Sequence, residues 1–227
     1  MSLMPIWIKI CANTSLEDAM MAAEAGAEAV GFVFAPSPRR VTAAQVAAIV
    51  PHLPATVEKI GVFVDASLEE IVSTVEACGL TGVQLHFDAA PELPARLHER
   101  LGPELRILGV VHFGAGTGEQ QAARMADLDR NPHVDAVLVD SRTEMAAGGT
   151  GVTFDWVEAR KALFQNAEAR KRLVAAGGLN PNNVAEAIAA LHPWGVDVVS
   201  GVEAAPGRKD KAKVREFVAR ARIGKVI

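Results

Sequence analysis

The chain has 227 residues, 50% hydrophobic and 22% charged, with 19 glycines and 12 prolines, which excludes a disordered, collagen-like or low-complexity polymer. A compact chain of this length buries roughly 70% of its unfolded surface, so it needs no disulfide or metal to fold, and a single barrel of about 200–250 residues is one way to use it all. The formal net charge of −4 argues against an extended nucleic-acid footprint.

Eight short apolar runs are expected as strands, at residues 6–11, 29–34, 57–64, 82–86, 106–112, 136–140, 172–176 and 196–200. They are continuous Val/Ile/Leu runs, as in strands buried on both faces of a parallel sheet. Helix patterns lie between them. Thr14-x-x-Glu17, Thr42-x-x-Gln45 and Ser67-x-x-Glu70 read as capping boxes, and Asn180-Pro181 reads as a cap followed by proline at the first helical position. Leu16, Ala19, Met20 and Ala23 recur at helical spacing, as do Leu68, Ile71, Val72 and Val75, and again Val184, Ala187, Ile188 and Leu191. Gly26 and Gly79 stand where the first and third helices should end. Around Gly114–Gly118 the pattern is weakest, so the fifth helix is expected to be short or irregular.

Parallel strands need crossovers of a dozen or more residues, and eight such units close naturally into a (β/α)8 TIM barrel of α/β class, here one domain over residues 1–227. An open doubly wound sheet would carry the same alternation. The longest apolar runs fall far short of the ~18–20 residues of a spanning helix, and the N-terminus lacks a secretory pattern. Cys11 and Cys78 stand in no disulfide framework. A cytoplasmic protein is the expectation, with no membrane or nucleic-acid partner, as a monomer or homodimer.

In such a barrel the chemistry lies where strands end. Those ends supply Lys9 and Cys11, Arg39 and Arg40, Gln84 and His86, His112, Asp140, Gly177-Gly178 and Ser200-Gly201. The runs Ala176-Gly177-Gly178-Leu179-Asn180-Pro181 and Ser200-Gly201-Val202-Glu203 follow the seventh and eighth strands. Together they fit a phosphate cradle of helix N-terminal amides, though two tight turns without a ligand would read alike. A buried cysteine is commonly a small core hydrophobe, and Cys78 fits that description. Cys11 differs by its place on the rim, near Lys9 or Arg39, which could stabilise a thiolate. Asp140 ends an apolar strand as a candidate acid, or as the cap of a turn. Gly148-Gly149-Thr150-Gly151 lacks the Walker order and reads as a mobile loop before a helix starting near Asp155-Trp156. Arg39 offers a fork for a carboxylate, or is simply a solvated loop residue. The histidines have no H-x-H or H-E-x-x-H companions, so no metal site is expected.

The residues resemble the phosphoribosylanthranilate isomerase family, an enzyme of tryptophan synthesis, from Lys9 to about Phe217. The resemblance rests on Lys9-Ile10-Cys11, Gly31-Phe32-Val33-Phe34 with Ser37-Pro38-Arg39, Gly61-Val62-Phe63-Val64, Val83-Gln84-Leu85-His86, Gly148-Gly149-Thr150-Gly151 with Phe154-Asp155-Trp156, and the two glycine loops. Any one is weak; seven in order are specific. The resemblance implies an Amadori rearrangement without metal or cofactor. Asp140 would be the general acid and Cys11 the general base. Arg39, Gln84, His86 and Asp197 would bind substrate, with Arg39 on the anthranilate carboxylate. Gly177, Gly178, Ser200, Gly201 and Val202 would grip the phosphate.

The chain departs from the family where Ala12 and Phe87 replace glycines, Arg40 a tyrosine and Val199 a serine; Ala12 and Phe87 could crowd the backbone beside the site. Rival phosphosugar barrels fit less well. An epimerase would show metal-binding histidines with paired aspartates, and an indole-glycerol-phosphate synthase would show catalytic lysines and glutamates on several strands. A barrel that only bound a phosphorylated metabolite would lose Cys11 or Asp140, and both are present.

Overall fold

The computed structural model describes residues 6–86, 90–112, 118–140 and 171–224. Eight strands, β1 (Trp7–Ile10), β2 (Ala29–Val33), β3 (Glu58–Val64), β4 (Gly82–His86), β5 (Arg106–His112), β6 (Ala136–Asp140), β7 (Arg172–Ala176) and β8 (Gly195–Val198), pair parallel in chain order. β1 closes on β8, with Lys9 opposite Asp197. That closure excludes the open sheet. β8 begins a residue earlier than expected and stops at Val198, because Ser200–Val202 winds into a short 3-10 turn.

Seven helices are described: α1 (Leu16–Glu24), α2 (Ala43–Ile49), α3 (Leu68–Cys78), α4 (Leu93–Leu101), α5 (Gly118–Arg130), α6 (Val184–Leu191) and α7 (Lys211–Ile223). Thr42 and Ser67 complete the expected capping boxes of α2 and α3. Gly79 ends α3 in the left-handed conformation that glycine adopts without strain. Two caps differ from expectation. The hydroxyl of Thr14 donates to Gly207 O, so Ser15 caps α1 in its place, accepting from Asp18 N. After β7 the chain first makes a turn held by asparagine side chains: Asn180 N donates to Asn183 Oδ1, and Asn182 N to Asn180 Oδ1. Pro181 sits in that turn, and Asn183 is the N-cap of α6. Where a weak helix was expected, α5 runs 13 residues, rich in the strong formers Ala, Gln, Glu, Arg and Met. The expected loop at Gly148–Gly151, the helix start at Asp155-Trp156 and the Phe87 departure lie outside the described residues.

Beneath the continuous apolar runs each strand keeps a two-residue alternation. On β1, Ile6, Ile8 and Ile10 join the layer between barrel and helices, while Trp7 joins a second, inner cluster with Ala29, Ile60, Leu108, Leu138 and Val174. Lys9 and Cys11 therefore follow Trp7 along the inner face. On β4 the outward Val83 and Leu85 leave Gln84 and His86 facing in; on β8, Val196 and Val198 leave Asp197 facing in. At the N-terminal end of the strands, Trp7 stacks on Trp194, ring centroids 5.1 Å apart and 19° from parallel. Gly195 makes room for this, since a Cβ there would stand 2.8 Å from Trp7 O and 2.9 Å from its ring. Arg172 and Arg106 lie over Trp194 at 4.9 and 5.9 Å.

Candidate active site

The opposite end of the barrel buries charge. Lys9 is fully buried, and its Nζ donates to Asp197 Oδ1 and to Gln84 Oε1, both at 2.8 Å. Because the Gln84 oxygen accepts from Lys9, its amide NH2 is turned toward His86 and meets His86 Nε2 at 2.7 Å. The imidazole nitrogen that accepts this bond is Nε2, which leaves Nδ1 to carry the proton. His86 and His112 rings follow at 5.5 Å, and His112 Nδ1 stands 4.0 Å from Asp140 Oδ2. A chain of polar side chains thus runs from Asp197 on β8 across β1, β4 and β5 to Asp140 at the end of β6.

Cys11 follows β1 on the same inner face. A Cβ built on Gly31 of β2 would meet Cys11 Sγ at 2.6 Å and Lys9 Cε at 3.1 Å, so the thiol and the lysine stem share the space that this glycine leaves open. Burial pushes the Cys11 thiol up; Lys9 pulls it back, Asp197 opposes Lys9, and the net direction is upward. For Lys9, burial acts to lower the ammonium value, but Asp197 and Cys11 more than reverse it, and its proton is held more tightly than usual.

The loop after β1 turns sharply. Ala12 has φ of 60°, the left-handed region that disfavours a side chain. Asn13, fully buried, pins the turn by donating through Nδ2 to Ile10 O and Gly31 O.

Arg39 is half-buried and paired within the protein. Its Nε and Nη2 form a fork on Glu203, at 2.8 and 2.6 Å. Glu203 also accepts from Gly207 N at 3.2 Å and lies 3.6 Å from Lys209 Nζ. Although burial pushes the Glu203 carboxyl up, Arg39, Lys209 and Gly207 bring it below its ordinary value. Glu203 and Lys209 belong to a small antiparallel hairpin, β9 (Glu203–Ala205) with β10 (Arg208–Lys209). Burial pushes Lys209 down, and Glu203, Cys11 and Asp197 only partly restore it. Sequence reasoning did not single out Lys209. It sits among the charged residues Arg208, Asp210 and Lys211, a run that reads as a solvated turn, and only the hairpin's register with Glu203 turns it inward. Arg40 is exposed.

The two glycine loops sit side by side after β7 and β8. Gly177 and Gly178 have φ of 84° and 63°, and nothing lies within 4 Å of a Cβ built on Gly178. Gly201 is the reverse: its Cβ would fall 1.9 Å from Leu179 O. The second loop packs against the backbone of the first only because residue 201 has no side chain. The amides of Asn180 and Asn182 are taken up by asparagine side chains, so the start of α6 does not present them as expected. Among the described residues no group of three or more His, Cys, Asp or Glu could hold a metal ion, and no helix is long and apolar enough to cross a membrane.

A closed eight-stranded barrel with ionisable groups gathered at the C-terminal ends of its strands defines a class, the barrel enzymes that build their sites on the βα loops. Within that class, the family model described as N-(5'-phosphoribosyl)anthranilate (PRA) isomerase matches residues 8–220. The N-(5'-phosphoribosyl)anthranilate isomerase of Pelobacter propionicus is 44% identical over 214 residues, 94% of each chain. The crystal structure of phosphoribosyl anthranilate isomerase from Thermotoga maritima superposes with a TM-score of 0.80 at 36% identity, covering 95% of this chain and 98% of that one. A phosphoribosyl anthranilate isomerase crystallised with reduced 1-(o-carboxyphenylamino)-1-deoxyribulose 5-phosphate superposes at 0.77, with 34% identity over 95% of this chain and 98% of that one. The chain belongs to the phosphoribosylanthranilate isomerase family, and it is an isomerase of tryptophan biosynthesis.

Proposed function

We propose that this chain, as one barrel domain, converts N-(5-phosphoribosyl)anthranilate to 1-(2-carboxyphenylamino)-1-deoxyribulose 5-phosphate by general acid–base catalysis. One observation carries the reading. Around the closed barrel the order β1, β8, β7, β6 sets Cys11 and Asp140 on opposite flanks of the two glycine loops. A sugar phosphate anchored at those loops, on the backbone around Gly177, Gly178, Ser200, Gly201 and Val202, would extend its ribose between the two groups. The reduced deoxyribulose phosphate bound by the related enzyme is a ligand of that chemistry.

In this mechanism the Asp140 carboxyl gives its proton to the ribose ring oxygen. The bond from C1′ to that oxygen breaks, and the anthranilate nitrogen lone pair forms the Schiff base. The Cys11 thiolate then takes the C2′ proton, and the C2′–H electrons move into the C1′–C2′ bond to give the enolamine. That species tautomerises to the 2-keto product. Proton transfers from positioned groups contribute ~10²–10⁴-fold each, and remote anchoring of the phosphate holds the reacting carbon against both. Gln84, His86 and Asp197 line the substrate side of the mouth. Arg39 receives the anthranilate carboxylate, its orientation set in advance by the Glu203 fork.

The test is direct. Purified protein mixed with freshly made phosphoribosylanthranilate should extinguish the anthranilate-adduct fluorescence faster than spontaneous decay. Decay at the uncatalysed rate would overturn the proposal.

A further inference from the structure

We infer that Lys9 is the positioning residue for Cys11, its buried ammonium serving as the fixed positive charge against which the thiolate forms. The inference rests on the reading of Cys11 as the base and adds the group that makes that base available. Two observations carry it. Lys9 and Cys11 are two residues apart on the inner face of β1, and both side chains crowd the point above Gly31 where a Cβ would stand, Sγ at 2.6 Å and Lys9 Cε at 3.1 Å. The ammonium cannot swing away, because Asp197 and Gln84 each hold it at 2.8 Å.

Among the described residues, four elements face the thiol: β1 supplies Lys9, β8 supplies Asp197, β10 supplies Lys209, and β2 presents Gly31. Asp197 has two opposed effects: it holds Lys9 in place, and its own charge disfavours the thiolate. Of the two, the Lys9 charge weighs more on the thiol than the Asp197 charge does. The buried Lys9–Asp197 pair is thus a clamp whose cation faces the base.

The composition permits an unusually clean measurement. The chain has two cysteines and no tyrosine, so in a Cys78→Ser background the pH-dependent ultraviolet absorbance of a thiolate reports Cys11 alone, without tyrosinate beneath it. An opposite charge at this range shifts a pKa by about 1–3 units. Lys9→Met should therefore raise the Cys11 midpoint by at least one unit, leaving about a tenth or less of the thiolate at a given pH on the rising limb. Lys9→Arg should return the midpoint toward its original position. Lys9→Met strands the Asp197 carboxylate and could fail to fold. The double variant Lys9→Met/Asp197→Asn removes that charge, and its midpoint should still rise, though by less. A midpoint at or below that of the Cys78→Ser parent, in either folded variant, overturns the inference. The titration needs no substrate, so it reads Lys9 even if the isomerase assay fails. The acid limb of kcat/KM should follow the midpoint from variant to variant; a limb that stays fixed while the midpoint moves would overturn the base role of Cys11 and leave the Lys9 coupling standing.

Discussion

The two ends of the barrel solve the same problem in opposite ways. Both must fill the narrow space inside a ring of strands, and both use cations. At the N-terminal end the cations stay at the margin: Arg106 pairs with Glu58 at 2.7 Å with both side chains about a quarter exposed, and Arg172 lies on the Trp194 ring, where a cation over an indole gains attraction without full desolvation. The filling is apolar, the stacked Trp7 and Trp194 with aliphatic side chains such as Ile60, Leu108 and Val174. At the mouth, Lys9, Asp197, Glu203 and Lys209 are all buried. Desolvating charges consumes much of what their pairing returns, so buried ion pairs are weak contributors to stability. The contrast separates roles: one end closes the fold, and the other keeps charge where water is excluded.

That contrast can be broken from either side. The largest expected effect is at the closed end. Trp7 is nearly buried against Trp194, so Trp7→Ala should cost about 3–5 kcal/mol of stability, read by urea unfolding. It should leave kcat near the parent value at a temperature where the variant is folded; a large fall in kcat would show that the plug also shapes the mouth. Next is Asp140→Asn, expected to lower kcat by at least ~10²-fold with KM and melting temperature little changed. Near-normal kcat in the folded variant would remove Asp140 from the acid role. The smallest effect sharpens the comparison. Ala12 is held at φ of 60°, and Ala12→Gly should relieve that strain and raise stability by up to about 1 kcal/mol, seen as a higher melting temperature. A lower one would mean that the loss of unfolded-state restriction outweighs the strain.

Ala12 also shows how far sequence reading reached. Its departure from the family's glycine was visible in the chain, but the backbone conformation that gives the departure meaning was not. Strand positions were legible because buried parallel strands write themselves as apolar runs, and the rim residues followed from the strand ends. The alternation that points Lys9 and Cys11 inward was masked, since Ile8 and Ile10 on the outer face are as apolar as an inner face would be. Ser15 displaced Thr14 as a cap because Thr14 is drawn to Gly207, 193 residues away. Lys209 was illegible for the same reason. Its burial depends on Glu203, Val199 and a hairpin, and no local pattern announces a contact made by tertiary folding. For Arg39 the expectation was a substrate carboxylate or solvent, and the carboxylate its fork meets inside the protein, Glu203, lies on a hairpin that was not foreseen.

Strand β1 carries a further consequence. Its inner face holds, in succession, Trp7 of the aromatic plug, the clamped Lys9 and the thiol of Cys11, while its outer face holds Ile6, Ile8 and Ile10. Three separate duties share one reading frame of alternate residues. A one-residue insertion or deletion between residues 7 and 11 would exchange the two rows, turning part of an isoleucine ladder into the lumen and part of the working row toward the helices. Length changes in this stretch should therefore be purged from any library of active variants, whereas Ala204 and Pro206, in the exposed part of the small hairpin, can absorb them more readily. The strand behaves as a single inherited word, legible only at its present spelling length.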